Sequence, residues 1–368
     1  MTSLRAALLG LCFTGVCAVA HAQLKIGQSV GVTGSVAATV KESSLGAQLY
    51  IDAVNAKGGI NGEKIELITL DDKFDPQLTQ ANAKELIEQR GVLALFMTRG
   101  TPHTEGILPL LDQYGVSLIG PSTGAMVLHQ PVKKNVFNVR AAYQHEAERA
   151  VTHLAATGMT RMAIIHVDDS FGADGLEGTQ KGLTAAKLKA VSIAKFDRNK
   201  PDFSQIAPTM ALLAPQAIMI IGSGTAVVDA IKALHTAGSN AQFITLSNNA
   251  SGGFIKLLGD NARGVIVTQV LPQSPNNALV QEATALAKPH NVLEVSPAML
   301  EGVASAKVLV EALRRASPKP TREKVHAALE GLRNFDIGGL SLSFSPTDHT
   351  GLDYVDLSII TASGKFRR

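Results

Sequence analysis

Short apolar runs alternate with longer amphipathic segments along most of the chain. Apolar runs of this kind are typical of buried strands, and an apolar period of three to four residues is typical of helices. We therefore predict strands at residues 24–30, 64–70, 92–97, 116–119, 162–167, 217–221, 242–246 and 264–270, and helices that include 44–56, 76–89, 102–114, 145–157 and 226–237. This alternation predicts an α/β fold of parallel sheets with helices on both faces.

Three predicted helix starts pair a capping residue with a proline: Asp75-Pro76, Thr101-Pro102 and Ser296-Pro297. A short polar side chain can accept a hydrogen bond from the free amides of a helix start, and proline suits the first helical position. In open parallel sheets, ligands lie beyond the carboxyl ends of strands, where loops enter such helices. We therefore expect the site in these loops.

The loop at residues 98–102 follows the apolar run 92–97 and opens a helix. We expect Thr101 to cap that helix, and Arg99 adds a positive charge beside the positive end of the helix dipole. This arrangement suits a carboxylate. An ordinary cap next to a solvated arginine fits the spacing equally well.

A second loop, at residues 120–124, follows the next apolar run and contains Ser122, Thr123 and Gly124. Such residues are also common in ordinary turns. The position of the loop is more informative, because two adjacent strands of one sheet would both end in polar loops at the same edge.

The second half of the chain has loops in equivalent positions. Residues 168–172, which include Phe171, and residues 222–225, which include Ser223, each follow an apolar run. Matching loops in the two halves predict two walls of one cleft.

The first residues predict export. Arg5 precedes an apolar segment at 6–20, and Ala20 and Ala22 fit the rule for signal peptidase, so the mature chain would begin at Gln23. A membrane anchor is the alternative, but the segment is shorter than the about 20 apolar residues that span a bilayer. We expect a periplasmic protein with a cleavable signal peptide.

Charge and cysteine content exclude several classes of function. The net charge is only +3, and the basic residues are scattered. Binding of nucleic acid depends on clustered cations, so we expect no such partner. Cys12 and Cys17 both lie in the predicted signal peptide, which leaves the mature chain without a disulfide, a thiolate or a cysteine metal site.

Catalytic motifs are incomplete. His145-Glu146 begins like the helix of a zinc protease, but Arg149 stands where the second histidine is needed. Gly222-Ser223-Gly224 begins like a dinucleotide-binding loop, but Val227 replaces the third glycine. We therefore expect a protein that is not an enzyme, with no catalytic residue, cofactor or metal.

Several segments together resemble the type I periplasmic binding proteins of the leucine/isoleucine/valine-binding class, over essentially the whole mature chain. They are residues 54–62, Leu70-Asp71-Asp72 with Asp75-Pro76, Gly100-Thr101-Pro102, residues 121–125, Phe171-Gly172, Thr268-Gln269-Val270 and Glu301-Gly302.

The resemblance implies two Rossmann-like lobes joined by three crossovers, with a ligand cleft between them. Lobe one would hold residues 23–139 and 271–342, and lobe two residues 140–270 and 343–368. It also implies a monomer that closes on a small molecule and delivers it to an inner-membrane ABC permease. A periplasmic sensor that presents the ligand to a membrane receptor is the alternative.

The resemblance also implies roles for individual residues. Thr101 would hold the ligand carboxylate, Phe171 would form an aromatic wall, and Ser122, Gly124 and Ser223 would supply further contacts. The full expected ligand-binding set is Arg99, Thr101, Ser122, Thr123, Gly124, Phe171, Ser223, Ser247 and Asn248.

The chain departs from the class at Ser247, which stands where the class carries a glutamate for the ligand ammonium. A neutral side chain cannot offset a buried ammonium. Gly124 replaces a threonine and would leave more room. One hypothesis is therefore an aromatic or aliphatic acid without an ammonium, held by Arg99 and Thr101 against Phe171. A branched-chain or related amino acid is the other hypothesis.

Overall fold

The computed structural model describes residues 23–367. Its strands are β1 Leu24–Val30, β2 Ile65–Asp71, β3 Ala94–Phe96, β4 Ser117–Ile119, β5 Val136–Phe137, β6 Met162–Val167, β7 Ser192–Phe196, β8 Ala217–Ile221, β9 Gln242–Thr245, β10 Ile266–Gln269, β11 Phe335–Asp336, β12 Ser341–Leu342, β13 Asp356–Ile360 and β14 Phe366–Arg367. Its α-helices are α1 Ala37–Ala56, α2 Pro76–Glu88, α3 Thr101–Tyr114, α4 Tyr143–Ala156, α5 Ser170–Ala185, α6 Ile206–Leu213, α7 Thr225–Thr236, α8 Gly252–Leu258, α9 Ala278–Ala287, α10 Pro297–Ala316 and α11 Arg322–Glu330.

The strands form two large sheets. The first sheet has the order β2-β1-β3-β4-β5 and is parallel throughout. The second has the order β14-β13-β10-β9-β8-β6-β7, in which β13 and β14 are antiparallel to their neighbours. Strands β11 and β12 form a separate antiparallel pair. This arrangement confirms the predicted α/β fold with two Rossmann-like lobes.

Each large sheet has its own hydrophobic core. Ile26 and Phe96 of the first sheet pack with Leu309 of α10. Ile164 and Ile218 of the second sheet pack with other buried residues of lobe two. Strands β6 and β8 are buried along their whole length, because helices cover both faces of the sheet.

The packing of the carboxyl-terminal region bears on the lobe boundaries. Phe344 and Leu352 pack in the first core, whereas Ile360 packs in the second. We therefore propose that the last crossover follows Leu352, rather than Leu342 as expected from the sequence.

Most predicted elements are present, and the differences have physical reasons. Helix α1 starts at Ala37, earlier than the predicted 44, because its start has no side-chain cap to mark it. Strand β7 was not predicted, because residues 192–196 alternate between partly buried and exposed positions and only Phe196 is buried. No helix within residues 23–367 is long and apolar enough to cross a membrane. The predicted signal peptide lies outside these residues.

Candidate functional site

A small cavity lies between the lobes, beyond the carboxyl ends of both sheets. Loops of lobe one contribute Phe74, Arg99, Gly100, Thr101 and Ser122, and lobe two contributes Tyr143, Phe171, Arg198, Ser223 and Asn248. The strand-to-helix corners of the two sheets therefore face each other across one gap, as the matching loops of the sequence predict.

Arg99 is the most informative residue of the cavity. Its side chain is buried, with the residue only 4% exposed. Nη2 donates to the carbonyl oxygen of Asn248 at 2.6 Å, Nη1 lies 3.4 Å from Ser122 Oγ, and Nε has no partner. No ion pair joins Arg99 to a carboxylate anywhere in residues 23–367. Burial lowers the pKa of Arg99, although Tyr143 and Glu301 act in the opposite direction.

Thr101 lines the cavity, but it does not cap α3 as expected. The helix begins at Thr101 itself, and the capping position is Gly100, whose φ of 95° favours glycine. The hydroxyl of Thr101 instead shares a hydrogen bond of 2.9 Å with the hydroxyl of Thr123. Thr123 therefore lies behind Thr101 and outside the cavity lining.

Gly124 also lies outside the cavity lining. A Cβ atom at this position would lie 2.6 Å from the carbonyl oxygen of Ala141 and 3.3 Å from Nε of Arg140. The space that a missing threonine would leave is therefore filled by the crossover between the lobes, and the expectation of a roomier pocket at Gly124 is wrong.

The wall from lobe two is ordered by two local networks. Asp169 caps α5 by accepting from the amides of Phe171 and Gly172. Asn248 donates to the hydroxyl of Ser223 and to the carbonyl oxygen of Gly222, both at 3.0 Å. Both networks hold cavity residues in place from behind.

Ser247 is not in this cavity and belongs to a buried ionic cluster instead. Its hydroxyl accepts from Arg140 at 2.5 Å, and its amide donates to Glu146 at 3.0 Å. Arg140 also forms ion pairs with Glu146 and, at 3.5 Å, with Glu301. Burial would lower the pKa of Arg140, but Tyr143, Glu146 and Glu301 raise it. Arg140 and Glu146 therefore occupy the polar groups of Ser247 in this structure, and a ligand contact at Ser247 stays a prediction.

Four cavity residues were not predicted from the sequence: Phe74, Gly100, Tyr143 and Arg198. Phe74 has a φ of 61°, which is rare for a bulky residue and is typical of functional positions. Asp72 stabilises this conformation, because its carboxylate accepts from the Phe74 amide at 2.9 Å. Arg198 lies in the loop after β7, and this loop was not predicted because β7 itself was not predicted.

Two sheets that face each other across a cleft are the architecture of a known protein family, and the sequence matches the profile of that family over nearly all of the described residues. The sequence profile described as periplasmic binding protein matches residues 23–364. The chain belongs to the periplasmic binding protein family. Members of this family are solute-binding proteins and not enzymes, and membership implies a periplasmic location and a small-molecule ligand.

Relatives and solved structures extend this assignment. The chain is 21% identical to Leu/Ile/Val-binding protein homolog 3 of Brucella melitensis, over 90% of each protein. A substrate-binding periplasmic protein from Ralstonia solanacearum is 30% identical, with a TM-score of 0.87 and coverage of 94% of this chain and 99% of that one.

Two more distant structures carry ligands of different chemistry. A branched-chain amino acid ABC transporter protein from Thermus thermophilus has bound valine. It is 17% identical to this chain, with a TM-score of 0.83 and coverage of 94% of this chain and 95% of that one. A solute-binding protein from R. palustris is in complex with benzoate, with 17% identity, a TM-score of 0.84 and the same coverage. At this identity they share the fold alone.

Proposed function

We propose that this periplasmic binding protein serves an ABC importer and binds a small organic acid that has one carboxylate and no ammonium group. The observation that carries the proposal is Arg99, a buried guanidinium without a carboxylate partner in residues 23–367. Removing a charge from water costs several kcal/mol unless an opposite charge compensates it. A ligand carboxylate in the cavity would provide that compensation.

The charges of the cavity lining disfavour an α-amino acid. The lining contains two arginines and neither an aspartate nor a glutamate. The ammonium of an α-amino acid would lie beside its carboxylate, and therefore near Arg99 and away from any carboxylate partner. Glu146 and Glu301, the acidic residues of the ionic cluster, are already paired with Arg140.

The apolar part of the lining favours an aromatic acid over an aliphatic one. Phe74 lies on lobe one, and Tyr143 and Phe171 lie on lobe two. The ring centroids of Tyr143 and Phe171 are 4.9 Å apart. Aromatic pairs prefer offset or edge-to-face contacts at such distances, so a flat ring could extend this cluster. The benzoate complex of the distant R. palustris protein is an example of this fold with an aromatic acid, whereas the names of the Leu/Ile/Val-binding relatives favour an amino acid instead.

A thermal shift assay tests the proposal. The protein is unfolded and refolded to remove any carried ligand, and it is then heated with benzoate, 4-hydroxybenzoate, isovalerate, valine or leucine. A ligand at 100 times its Kd stabilises the folded state by about 2.7 kcal/mol, which raises the Tm by several degrees. We expect such a rise with acids. A rise with the amino acids only would overturn the proposal.

The transport role is tested in cells. A strain that lacks the protein is expected to take up the radiolabelled acid more slowly than the parent strain. Unchanged uptake would argue against an importer and in favour of a sensor that presents the ligand to a receptor.

A further inference from the structure

A second arginine faces the same cavity from the opposite lobe. Arg198 follows β7 of the second sheet and lines the cavity together with Arg99, which follows β3 of the first sheet. Arg198 also lines an adjoining cavity together with Lys73 and Asn199. Its side chain is therefore shared by the two cavities.

The guanidinium of Arg198 is fixed by lobe two itself. Its Nε donates to Asp169 Oδ2 at 2.5 Å, and Nη2 forms an ion pair with the same oxygen. The other oxygen of Asp169 accepts from the amides of Phe171 and Gly172. One carboxylate thus holds both the arginine and the start of α5, which orders the group before a ligand arrives and reduces the entropic cost of binding.

The cavity lining and the carboxylate that pairs with it carry one more positive than negative charge. Arg99 and Arg198 each contribute a positive charge, and Asp169 offsets one of them. Burial lowers the pKa of Arg99; Tyr143 and Glu301 raise it, and the positive charges of Arg140 and Arg198 lower it. Closing the lobes therefore brings like charges together unless an anion lies between them.

A contact between the lobes depends on the same residue. The guanidinium carbon of Arg198 lies 5.0 Å from the ring centroid of Phe74 on lobe one, a cation–π geometry. Phe74 in turn stacks on His103 at 4.3 Å between ring centroids. Burial lowers the pKa of His103 to about 4, so this histidine is neutral at neutral pH and adds no third positive charge.

We propose that Arg198 is a second anion-binding residue, supplied by lobe two, and that it makes closure of the cleft depend on the negative charge of the ligand. This inference rests on the proposed function. In the absence of an anion, Arg99 and Arg198 repel each other across the gap. A carboxylate between them attracts both lobes and favours the closed arrangement, in which Arg198 lies over Phe74.

The test compares Arg198→Gln, Arg198→Lys and the matched control Arg263→Gln, which changes an exposed arginine of lobe two. The probe is the acid that gives the largest Tm rise in the wild-type panel. Calorimetry measures its Kd, and small-angle X-ray scattering measures the radius of gyration with and without it. We expect Arg198→Gln to weaken binding by about tenfold to a hundredfold, as for the loss of a charged hydrogen bond, and to abolish compaction at saturating acid.

The conservative variant and the control separate charge from shape. Arg198→Lys keeps the charge and is expected to compact with the acid, and Arg263→Gln is expected to match the wild type. Compaction of Arg198→Gln like the wild type, or an equal loss in Arg198→Lys and Arg198→Gln, would overturn the inference. In that case a strong loss of binding in Arg99→Gln would leave the proposed function standing. If no acid binds the wild type, both fall.

Discussion

Arg99 and Arg140 are both buried arginines near the junction of the lobes, yet their surroundings are opposite. Arg140 has two carboxylates and a hydroxyl around its guanidinium. Arg99 has a carbonyl oxygen, a distant hydroxyl and an unpartnered Nε. A buried arginine that pairs with carboxylates of its own chain stabilises the fold, whereas a buried arginine without such a partner is free to pair with a ligand carboxylate.

The largest expected effect is on stability at Arg140. Replacing Arg140 by Met would leave Glu146 and Glu301 as buried acids without their cation, and breaking a buried pair in this way costs about 3–5 kcal/mol. We expect urea denaturation of Arg140→Met to show a loss of this size in the free energy of unfolding. A loss under about 1 kcal/mol would mean that the cluster is not the structural element described here.

The matched change at Arg99 is expected to act on binding and not on stability. Arg99→Gln removes a buried charge that forms no ion pair with a carboxylate of residues 23–367, so the free energy of unfolding without ligand should change by less than about 1 kcal/mol. Its affinity for the acid should fall by about 1.5–3 kcal/mol, as for the loss of a charged hydrogen bond. Calorimetry and urea denaturation of the same preparation measure both quantities. The comparison fails if Arg99→Gln unfolds as easily as Arg140→Met.

A smaller effect is expected at the cleft edge, where Asp174 accepts from the Met126 amide at 3.0 Å and from Gln144 at 2.8 Å. Burial raises the pKa of Asp174 to about 6. Between its unfolded pKa and this value, the folded state holds a proton that the unfolded state has lost, so stability from this group falls as the pH rises from about 4 to 6.

Asp174→Asn removes this titration and gives the control. We expect the Tm of the wild type to decline relative to that of the variant across this pH interval, by an amount that corresponds to about 1–2 kcal/mol because the residue is partly exposed. Parallel Tm curves for the two proteins from pH 4 to pH 6 would contradict the assignment.

The fold could be predicted well from the sequence, because strands such as β1, β6 and β8 are continuous apolar runs between clear turn residues. Strand β7 and the start of α1 could not, because one is half exposed at an edge and the other has no capping side chain. In both places the local sequence pattern is weak, and tertiary packing determines the secondary structure.

The site was predicted in part, for the same reason. Arg99, Thr101, Ser122, Phe171, Ser223 and Asn248 all line the cavity, since each follows a strand that the sequence marks clearly. Phe74 depends on a left-handed backbone conformation that the sequence does not signal. Ser247 and Gly124 follow equally clear strands, but the Ser247 hydroxyl bonds to Arg140, and Gly124 packs so closely on Ala141 that a side chain would not fit.

The molecule that the native protein carries tests the central claim most directly. Protein purified from its own periplasm is denatured, and the released small molecules are identified by mass spectrometry against a mock purification. We predict an organic acid that has a carboxylate and no amine, held in wild-type protein and lost from Arg99→Gln. Release of leucine, valine or another α-amino acid from the wild type would contradict the claim that Arg99 binds a carboxylate ligand that has no ammonium group.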